Sequence, residues 1–286
     1  LKRRMSKTLP WVADFRDLCA DDCRYREPSP QRRAAHRQLE QEILEVADVV
    51  IAVTERQRTI LADRVPAQCD KFITITNGFD PTDFETRGEE RTVNVGRFVL
   101  AYVGRFDLSQ TSDEWFDGLQ RFVAKLGPMR ERFLFRIVGY ANKTAQAKLR
   151  AAGVECEFTG YLSHAEAIRA MRSADALLLN APTGPNGDSV IRAKLFEYLA
   201  SRRPILLVGP EGGECERIVQ SCDAGLTVNF DAGAVADALT RLFEEWTAGR
   251  PIPGCGSAGL DAYSRIELTR RLALVFDRLA DRGAEA

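Results

Sequence analysis

From Arg97 onward the chain repeats one pattern six times, a short apolar run followed by a stretch of helix length. The runs are FVLAYVGRF, FLFRIVGY, VECEFTGYL, DALLLNAP, PILLVGP and AGLTVNF. Apolar runs of this length, bounded by turn residues, read as strands buried on both faces, the condition of a parallel sheet covered by helices. Strand-helix-strand crossovers are right-handed, so six such units predict one doubly wound α/β sheet. Two spacings mark helix starts within it: Thr111 with Glu114, and Ser163 with Glu166, both fit the S/T-x-x-E capping box. No fixed-period repeat of the solenoid or propeller kind interrupts the pattern.

A shorter version precedes it. LPWVADFRDL (9–18) reads as a strand, Gln31 to Ala47 as a helix, DVVIAVTE (48–55) as a strand, the stretch to Val65 as a helix, and KFITITNGFD (71–80) as a third strand. Asn77-Gly78 is its closing turn. Three parallel strands leave an open edge and half a core, so residues 1–80 are expected to be an incomplete first domain with sequence missing upstream. The chain's start at Leu1 agrees. Residues 81–96, polar around ETRGEERT, read as a linker, and residues 97–256 as the second domain. A final helix from about Leu260, within residues 257–286, is expected to pack back toward the first domain.

Length and composition bound the function. With 286 residues there is room for two α/β domains. A net charge of −1 creates no overall field that would recruit nucleic acid or membrane. No apolar run approaches the roughly 20 residues that span a bilayer, and LKRRMSKTLPW lacks the apolar stretch of a signal peptide, so the expected location is cytoplasmic. The seven cysteines, Cys19, Cys23, Cys69, Cys156, Cys215, Cys222 and Cys255, contain no C-x-x-C and argue against a disulfide framework or a zinc ribbon. The stretch RYREPSPQRRAAHR sets Arg24, Arg26, Arg32, Arg33 and Arg37 against Glu27. It reads as a solvated helix start; the alternative is peripheral contact with anionic lipid at the inner membrane face, or with a phosphorylated acceptor.

In an open parallel sheet, ligands bind outside the carboxyl ends of the strands. Glycines occupy those tips: Gly104 before Arg105, Gly139, Gly160 before Tyr161 and Leu162, and Gly184 and Gly187 in TGPNGDSV. Any one of them could be a turn residue alone. As a set, Gly184, Gly187, Asp188 and Ser189 are expected to lead into a helix running from Val190 to Arg203, whose first N–H groups and positive end suit an anion, with Arg105 as the accompanying cation. A diphosphate satisfies both. No P-loop is present, and the one G-x-G-x-x-G, Gly254 to Gly259, lies in the loose stretch GRPIPGCGSAG before the final helix and not directly after a strand, so neither an ATPase nor dinucleotide binding has its fingerprint in context. On that helix Ile191, Leu195, Phe196 and Leu199 form the apolar stripe, and Lys194, Glu197 and Ser201 lie on another face. A surface ion pair is the plain reading of Lys194 and Glu197. A carboxylate that accepts hydrogen bonds from two ribose hydroxyls is the functional one.

Taken in order, ADFRDL, LEVADVVIAVTERQRTIL, FITITNGFDPTDF, LAYVGRF, RIVGY, VECEFTGYL, SHAEAIRAMRSADALLL, KLFEYLASRRPIL and DAYSRIELTRRL resemble the family 4 type glycosyltransferases of the GT-B fold, over nearly the whole chain. The resemblance implies two Rossmann-like domains with parallel sheets facing each other across a cleft, the first incomplete here. It implies a retaining, metal-independent transfer of a sugar from a nucleotide-diphosphate-sugar donor to an acceptor, a glycan or lipid-linked precursor of a cell-surface or exopolysaccharide. Residue by residue, Gly104 and Arg105 look like the phosphate-binding pair and Glu197 like the ribose ligand. Gly139, Gly160, Tyr161 and Leu162 would flank the base, and Gly187, Asp188, Ser189 and Val190 would face the donor sugar and diphosphate. Arg105 would stabilise the leaving diphosphate, alone or with Lys194 as a substitute for the family's own lysine, with no cofactor and no metal. Three departures stand out. Ser189, beside Asp188, occupies the place of a common glutamate eight residues before the ribose glutamate; the lysine usual after the Gly-Arg pair is absent from FDLSQTSDEW; and neither His36 nor His164 takes the role of the histidine that many members carry in their first strands. Two other readings stay open: a nucleotide-sugar epimerase of the same fold, whose acidic and histidine residues are not evident, and a non-catalytic nucleotide-sugar-binding module or inactive fragment.

Overall fold

The structure is a computed structural model that describes residues 9–18, 29–85, 96–109, 111–251, 254 and 257–284. Its first sheet has three parallel strands among the described residues, β1 (Val12–Phe15), β2 (Val49–Ala52) and β3 (Phe72–Thr74), in the order β1-β2-β3. Helix α1 (Pro30–Val46) starts where Ser29 accepts the Arg32 N–H and Pro30 supplies a helical φ. Helix α2 (Glu55–Ala62) starts at Thr54 in the same way and ends earlier than the expected Val65. These helices cover one face of the sheet, burying Phe15, Leu44, Val50, Leu61 and Phe72. Arg32, Arg33 and Arg37 of the basic stretch are exposed on α1, whereas Arg24 and Arg26 lie outside the described residues, as do Cys19, Cys23, Cys255 and the linker's centre. Cys69, Cys156, Cys215 and Cys222 are free thiols.

The second sheet contains β4 (Phe98–Val103), β5 (Phe133–Val138), β6 (Cys156–Gly160), β7 (Ala176–Asn180), β8 (Ile205–Val208) and β9 (Gly225–Val228), all parallel, in the order β6-β5-β4-β7-β8-β9. Every residue of β4 is buried, as a central strand covered on both faces must be. One face carries α3 (Asp113–Leu126), α4 (Lys143–Ala151) and α8 (Ala232–Thr247), packed through Trp115, Leu119, Phe122, Leu149, Leu239 and Phe243. Edge-to-face rings tie this layer together, with Phe122 4.9 Å from Phe133 and 6.0 Å from Phe243. The other face carries α5 (His164–Ser173), α6 (Lys194–Ser201) and α7 (Glu214–Ser221), packed through Met171, Leu195, Leu199 and Ile218. The capping box at Ser163 and Glu166 is formed. At α3 the cap is Ser112, not Thr111: Ser112 accepts the Trp115 N–H, while Thr111 is buried and accepts a hydrogen bond from Asn180. Thr111 therefore serves the strand ends and not the helix.

The chain's end is not one helix. A short α9 (Ser257–Leu260) and a turn at Asp261–Tyr263 precede α10 (Arg265–Ala284). Helix α10 lies across the second face of the first sheet, where Leu268 and Leu272 meet Val49, Ile51, Ile73 and Ile75. Burying a leucine such as Leu268 contributes roughly 1.5–3 kcal/mol, and the Arg271 guanidinium adds a hydrogen bond to the Thr74 carbonyl at 2.8 Å. No helix among the described residues is long and apolar enough to cross a membrane.

The chain thus passes between the sheets twice, and the two passages are bonded to each other. The Phe79 N–H donates to the Tyr263 carbonyl at 3.1 Å and the Arg265 N–H donates to the Phe79 carbonyl at 2.9 Å, a parallel bridge between Phe79 and Ser264. Gly78 permits this approach, since a Cβ there would fall inside the van der Waals surface of the Tyr263 carbonyl oxygen and 2.5 Å from Leu268 Cδ1. Both neighbours are held in the packed junction. Gly78→Ala is therefore expected to destabilise the protein by about 1–3 kcal/mol, the usual cost of overpacking. Urea denaturation measures this, and an unchanged midpoint would show that the junction yields freely.

Candidate active site

The strand order of the second sheet reverses between β4 and β7, which opens a crevice at their carboxyl ends. Gly104 and Gly139 sit there at φ values of 117° and 121°, conformations that side-chain-bearing residues rarely adopt. The Gly104 N–H donates to the Val138 carbonyl at 2.8 Å, and a Cβ on Gly139 would lie 2.6 Å from the Gly104 carbonyl oxygen. The two tips touch through backbone alone. The space a Gly104 side chain would fill is bounded by the Lys194 ammonium, 3.1 Å from its Cβ position.

Arg105 projects from this tip with 71% of its side chain exposed, yet its direction is fixed. Its guanidinium pairs with buried Asp107 and lies 5.9 Å from the centre of the Tyr140 ring. Tyr102 donates to the Arg105 carbonyl at 2.8 Å. Burial alone would raise the Asp107 carboxyl, but the hydroxyl and N–H of Ser109 and the Arg105 charge outweigh it and hold the group below its ordinary value. A buried carboxylate thus presets the arginine. The sequence reading missed Asp107, although an acid two residues after the arginine and followed by Ser109 is a local turn signal.

Beyond β7 the structure departs from expectation. Gly187–Ser189 form a single 3-10 turn, Val190 is extended, and helix α6 begins only at Lys194. The expected helix start at the glycine loop is therefore displaced, and what faces the crevice is the first turn of α6 with its side chains. Lys194 and Glu197, both half-buried, do not pair with each other, and among the described residues neither makes an ion pair or a hydrogen bond. The surface ion pair is excluded. Ser201 is not on their exposed face either, since it is buried and donates to the Tyr198 carbonyl at 2.6 Å.

The Lys194 ammonium rests 3.8 Å from the centre of the Tyr102 ring. Burial first, and the nearby Arg192 charge second, pull it from 10.5 to about 7, while Glu197 opposes them. Arg192, also missed in the sequence, donates from Nε to the Asn180 carbonyl at the tip of β7, at 3.3 Å. Burial raises the Glu197 carboxyl, against the charges of His164, Arg265 and Lys194, and with that of Asp83. His164 itself pairs with Asp83 at 2.9 Å, and that hydrogen bond raises its pKa. His36 is exposed on α1, outside this cluster. The crevice thus combines Arg105, Arg192 and Lys194 with one unpartnered carboxylate.

The remaining sequence candidates divide. Gly187 is buried, with its Cβ position 2.5 Å from the Pro182 carbonyl oxygen. Ser189 is fully buried and its hydroxyl donates to the Asn186 carbonyl at 2.7 Å. Asp188 pairs through one oxygen with Arg56 at 2.7 Å, and Val190 is buried. The donors that this loop could offer an anion are therefore those of its backbone. Gly160 forms a bridge with Gly139, Leu162 packs against the core, and Tyr161 is 96% exposed at the rim.

Lys194 makes the free protein's stability depend on pH in an unusual direction. Below about 7 the folded and unfolded chains both carry the proton and the cost of a half-buried charge is fully present. As pH rises past that value the folded lysine releases its proton while the unfolded one keeps it up to 10.5, so the unfolded state binds more protons and stability rises. The denaturation free energy of the wild type minus that of Lys194→Met is expected to increase from about pH 6 to about pH 9. A pH-independent difference would show an ammonium that stays charged throughout.

No protein-family model matches the chain, and no curated protein matches it in sequence. Solved structures do. HepE from Anabaena, in complex with UDP and glucose, superposes with a TM-score of 0.70 at 16% identity, over 94% of this chain and 71% of that one. The UDP-forming α,α-trehalose-phosphate synthase of Burkholderia vietnamiensis gives 0.66 at 16% identity, over 95% and 67%. A variant of TarM from S. aureus, in complex with fondaparinux, α-GlcNAc-glycerol and UDP, gives 0.65 at 14% identity, over 93% and 50%. At these identities the likeness concerns the fold, and it is that of GT-B glycosyltransferases: two α/β units with parallel sheets.

Proposed function

We propose that this chain is a glycosyltransferase of retaining, metal-independent type, transferring a hexose-like sugar from a nucleotide-diphosphate-sugar donor to a glycan or lipid-linked acceptor in the cytoplasm. The observation that carries the reading is the pair Lys194 and Glu197, half-buried at the strand-order reversal and making neither an ion pair nor a hydrogen bond among the described residues. A carboxylate in that state has both oxygens free to accept a ribose diol. An ammonium drawn down to about 7 gains its proton back when an anion arrives beside it. The resemblance to family 4 type enzymes assigns Glu197 the ribose, Lys194 takes the place of the lysine absent after the Gly-Arg pair, and the similar structures from Anabaena, Burkholderia and S. aureus make UDP the first nucleotide to test.

The chemistry follows from charge. When the bond between the sugar's anomeric carbon and the diphosphate oxygen breaks, negative charge grows on the departing diphosphate. Arg105, preset by Asp107, and Lys194, close under Gly104, would meet that charge without reorganising. The acceptor hydroxyl adds to the anomeric carbon on the face the diphosphate leaves, and its proton passes to the departing diphosphate oxygen. Arg192 would reinforce the positive field from the β7 side.

Among UDP, GDP and ADP, one nucleotide is expected to raise the melting temperature of the protein. Glu197→Ala should weaken its binding about 10- to 100-fold, the scale of losing hydrogen bonds to a charged group. Lys194→Met should weaken the diphosphate by about tenfold or more and the parent nucleoside hardly at all. Calorimetric titration reads both. Unchanged affinity in Glu197→Ala would remove the ribose assignment, and no stabilisation by any of the three nucleotides would overturn the donor site.

A further inference from the structure

The loop that leads into Arg192 and Lys194 is held from the other sheet. Thr54 stands at the carboxyl end of β2, and its hydroxyl oxygen accepts the Gln57 N–H at 3.0 Å, which caps α2. A hydroxyl has one proton to give. Thr54 gives it to the Ser189 carbonyl, at 3.0 Å, with both residues buried at 1% and 0% exposure. Two further contacts leave the same turn of α2. The Arg56 N–H donates to Glu214 Oε1 at 2.7 Å, and the Arg56 guanidinium pairs with Asp188 at 2.7 Å. Glu214 opens α7, whose cap residue Gly213 packs against Asp188, with its Cβ position 3.6 Å from the Asp188 Cα. The first turn of α2 therefore grips the 187–189 turn and the helix beside it.

A hydrogen bond made only to stabilise the junction could have ended on any carbonyl. This one ends on the residue after which the chain runs extended through Val190 and on to Arg192 and Lys194. Of the turn's side chains, Ser189 is spent within the protein and Asp188, a carboxylate tied to Arg56, offers no donor to an anion. What the turn can contribute is placement of its backbone and of the two cations that follow.

We propose that Thr54 is a positioning residue of the donor site: the proton it gives to the Ser189 carbonyl sets the 187–190 segment, and through it Arg192 and Lys194, against the diphosphate. The proposal rests on reading the crevice as a nucleotide-diphosphate site. It makes the second domain's affinity for diphosphate depend on a residue of the first domain that touches no ligand.

Thr54→Asp separates this role from the helix cap. Aspartate caps a helix as well as threonine does, but an ionised carboxylate has no proton to give the Ser189 carbonyl. The probes are the nucleoside diphosphate, among UDP, GDP and ADP, that stabilises the wild type, and its monophosphate, titrated calorimetrically into the full chain. Thr54→Ser, which keeps both bonds, is expected to match the wild type. Thr54→Asp is expected to melt below the wild type, because it places a carboxylate in a buried site, and, at temperatures where it is folded and pH values where it is ionised, to bind the diphosphate about tenfold more weakly with monophosphate binding unchanged. Equal loss for both nucleotides would mark a merely structural residue, and unchanged diphosphate binding would show that the bond places nothing; either result overturns the proposal. If Thr54→Asp does not fold, Arg56→Met, which leaves the cap intact, should lower the diphosphate-to-monophosphate affinity ratio about threefold, and a wild-type ratio in that variant overturns it. A wild type that binds none of the three diphosphates would overturn the donor site itself, a result distinct from a binding wild type with a silent Thr54.

Discussion

Two backbone hydrogen bonds, Phe79 to Tyr263 and Arg265 to Phe79, decide how the rest of this molecule is assembled. Each sheet has its own apolar core, and neither core alone requires the other. The first sheet is completed on its second face by α10, which belongs to the far end of the chain. That helix reaches its place only because the outgoing and returning segments are fastened at one point. The absence of a side chain at Gly78 is what lets them approach, and so a single glycine conditions the burial of Leu268 beside it and of Leu272 four residues further along α10.

The crevice shows a different balance. A half-buried lysine and a half-buried glutamate one turn apart could have formed an ion pair and lowered the cost of their desolvation. They do not, and both pKa values are displaced toward neutrality as a result. By contrast, Arg105 is mostly exposed and yet firmly paired, so its orientation is settled while its remaining N–H groups stay open to the crevice. Groups that are costly to bury are left unsatisfied where a ligand could satisfy them, and a group that water could solvate is tethered. Such an arrangement costs stability in the empty protein, and on the proposed reading the ligand restores it.

Much of the fold was legible in the sequence because the strands announce themselves. FVLAYV, FLFRIV and ALLLN can be buried on both faces and little else, which fixed the parallel sheet and located Gly104 and Gly139 at its edge. The short helices were harder. VIRAKLFEYLAS carries helical spacing from its first residue, but Val190 is extended, Val190 and Ile191 are buried outside any helix, and the helix begins only at Lys194. Local propensity was overridden there by packing. Thr111 misled for a similar reason: its spacing to Glu114 was right for a cap, yet its hydroxyl was needed by Asn180 and Ser112 took the cap. Asp107 was legible as a local turn signal between Arg105 and Ser109 but belongs to no periodic pattern, and Arg192 escaped notice because its partner is the backbone carbonyl of Asn180. Contacts between Thr54 and Ser189, far apart in sequence, are invisible to any window-based reading.

Helix α6 is fastened to the crossing as well, because the Phe196 ring packs on Tyr263 with centroids 5.3 Å apart. Glu197 is the next residue, and the charges of Asp83 and Arg265, from the two crossing segments, act on it. The two sheets are therefore fastened at two places, at the crossing beside Glu197 and where the first turn of α2 grips the 187–189 turn. The chain between these fastenings carries Arg192, Lys194 and Glu197, so the segment that lines the crevice is set from both of its ends by residues outside the second sheet.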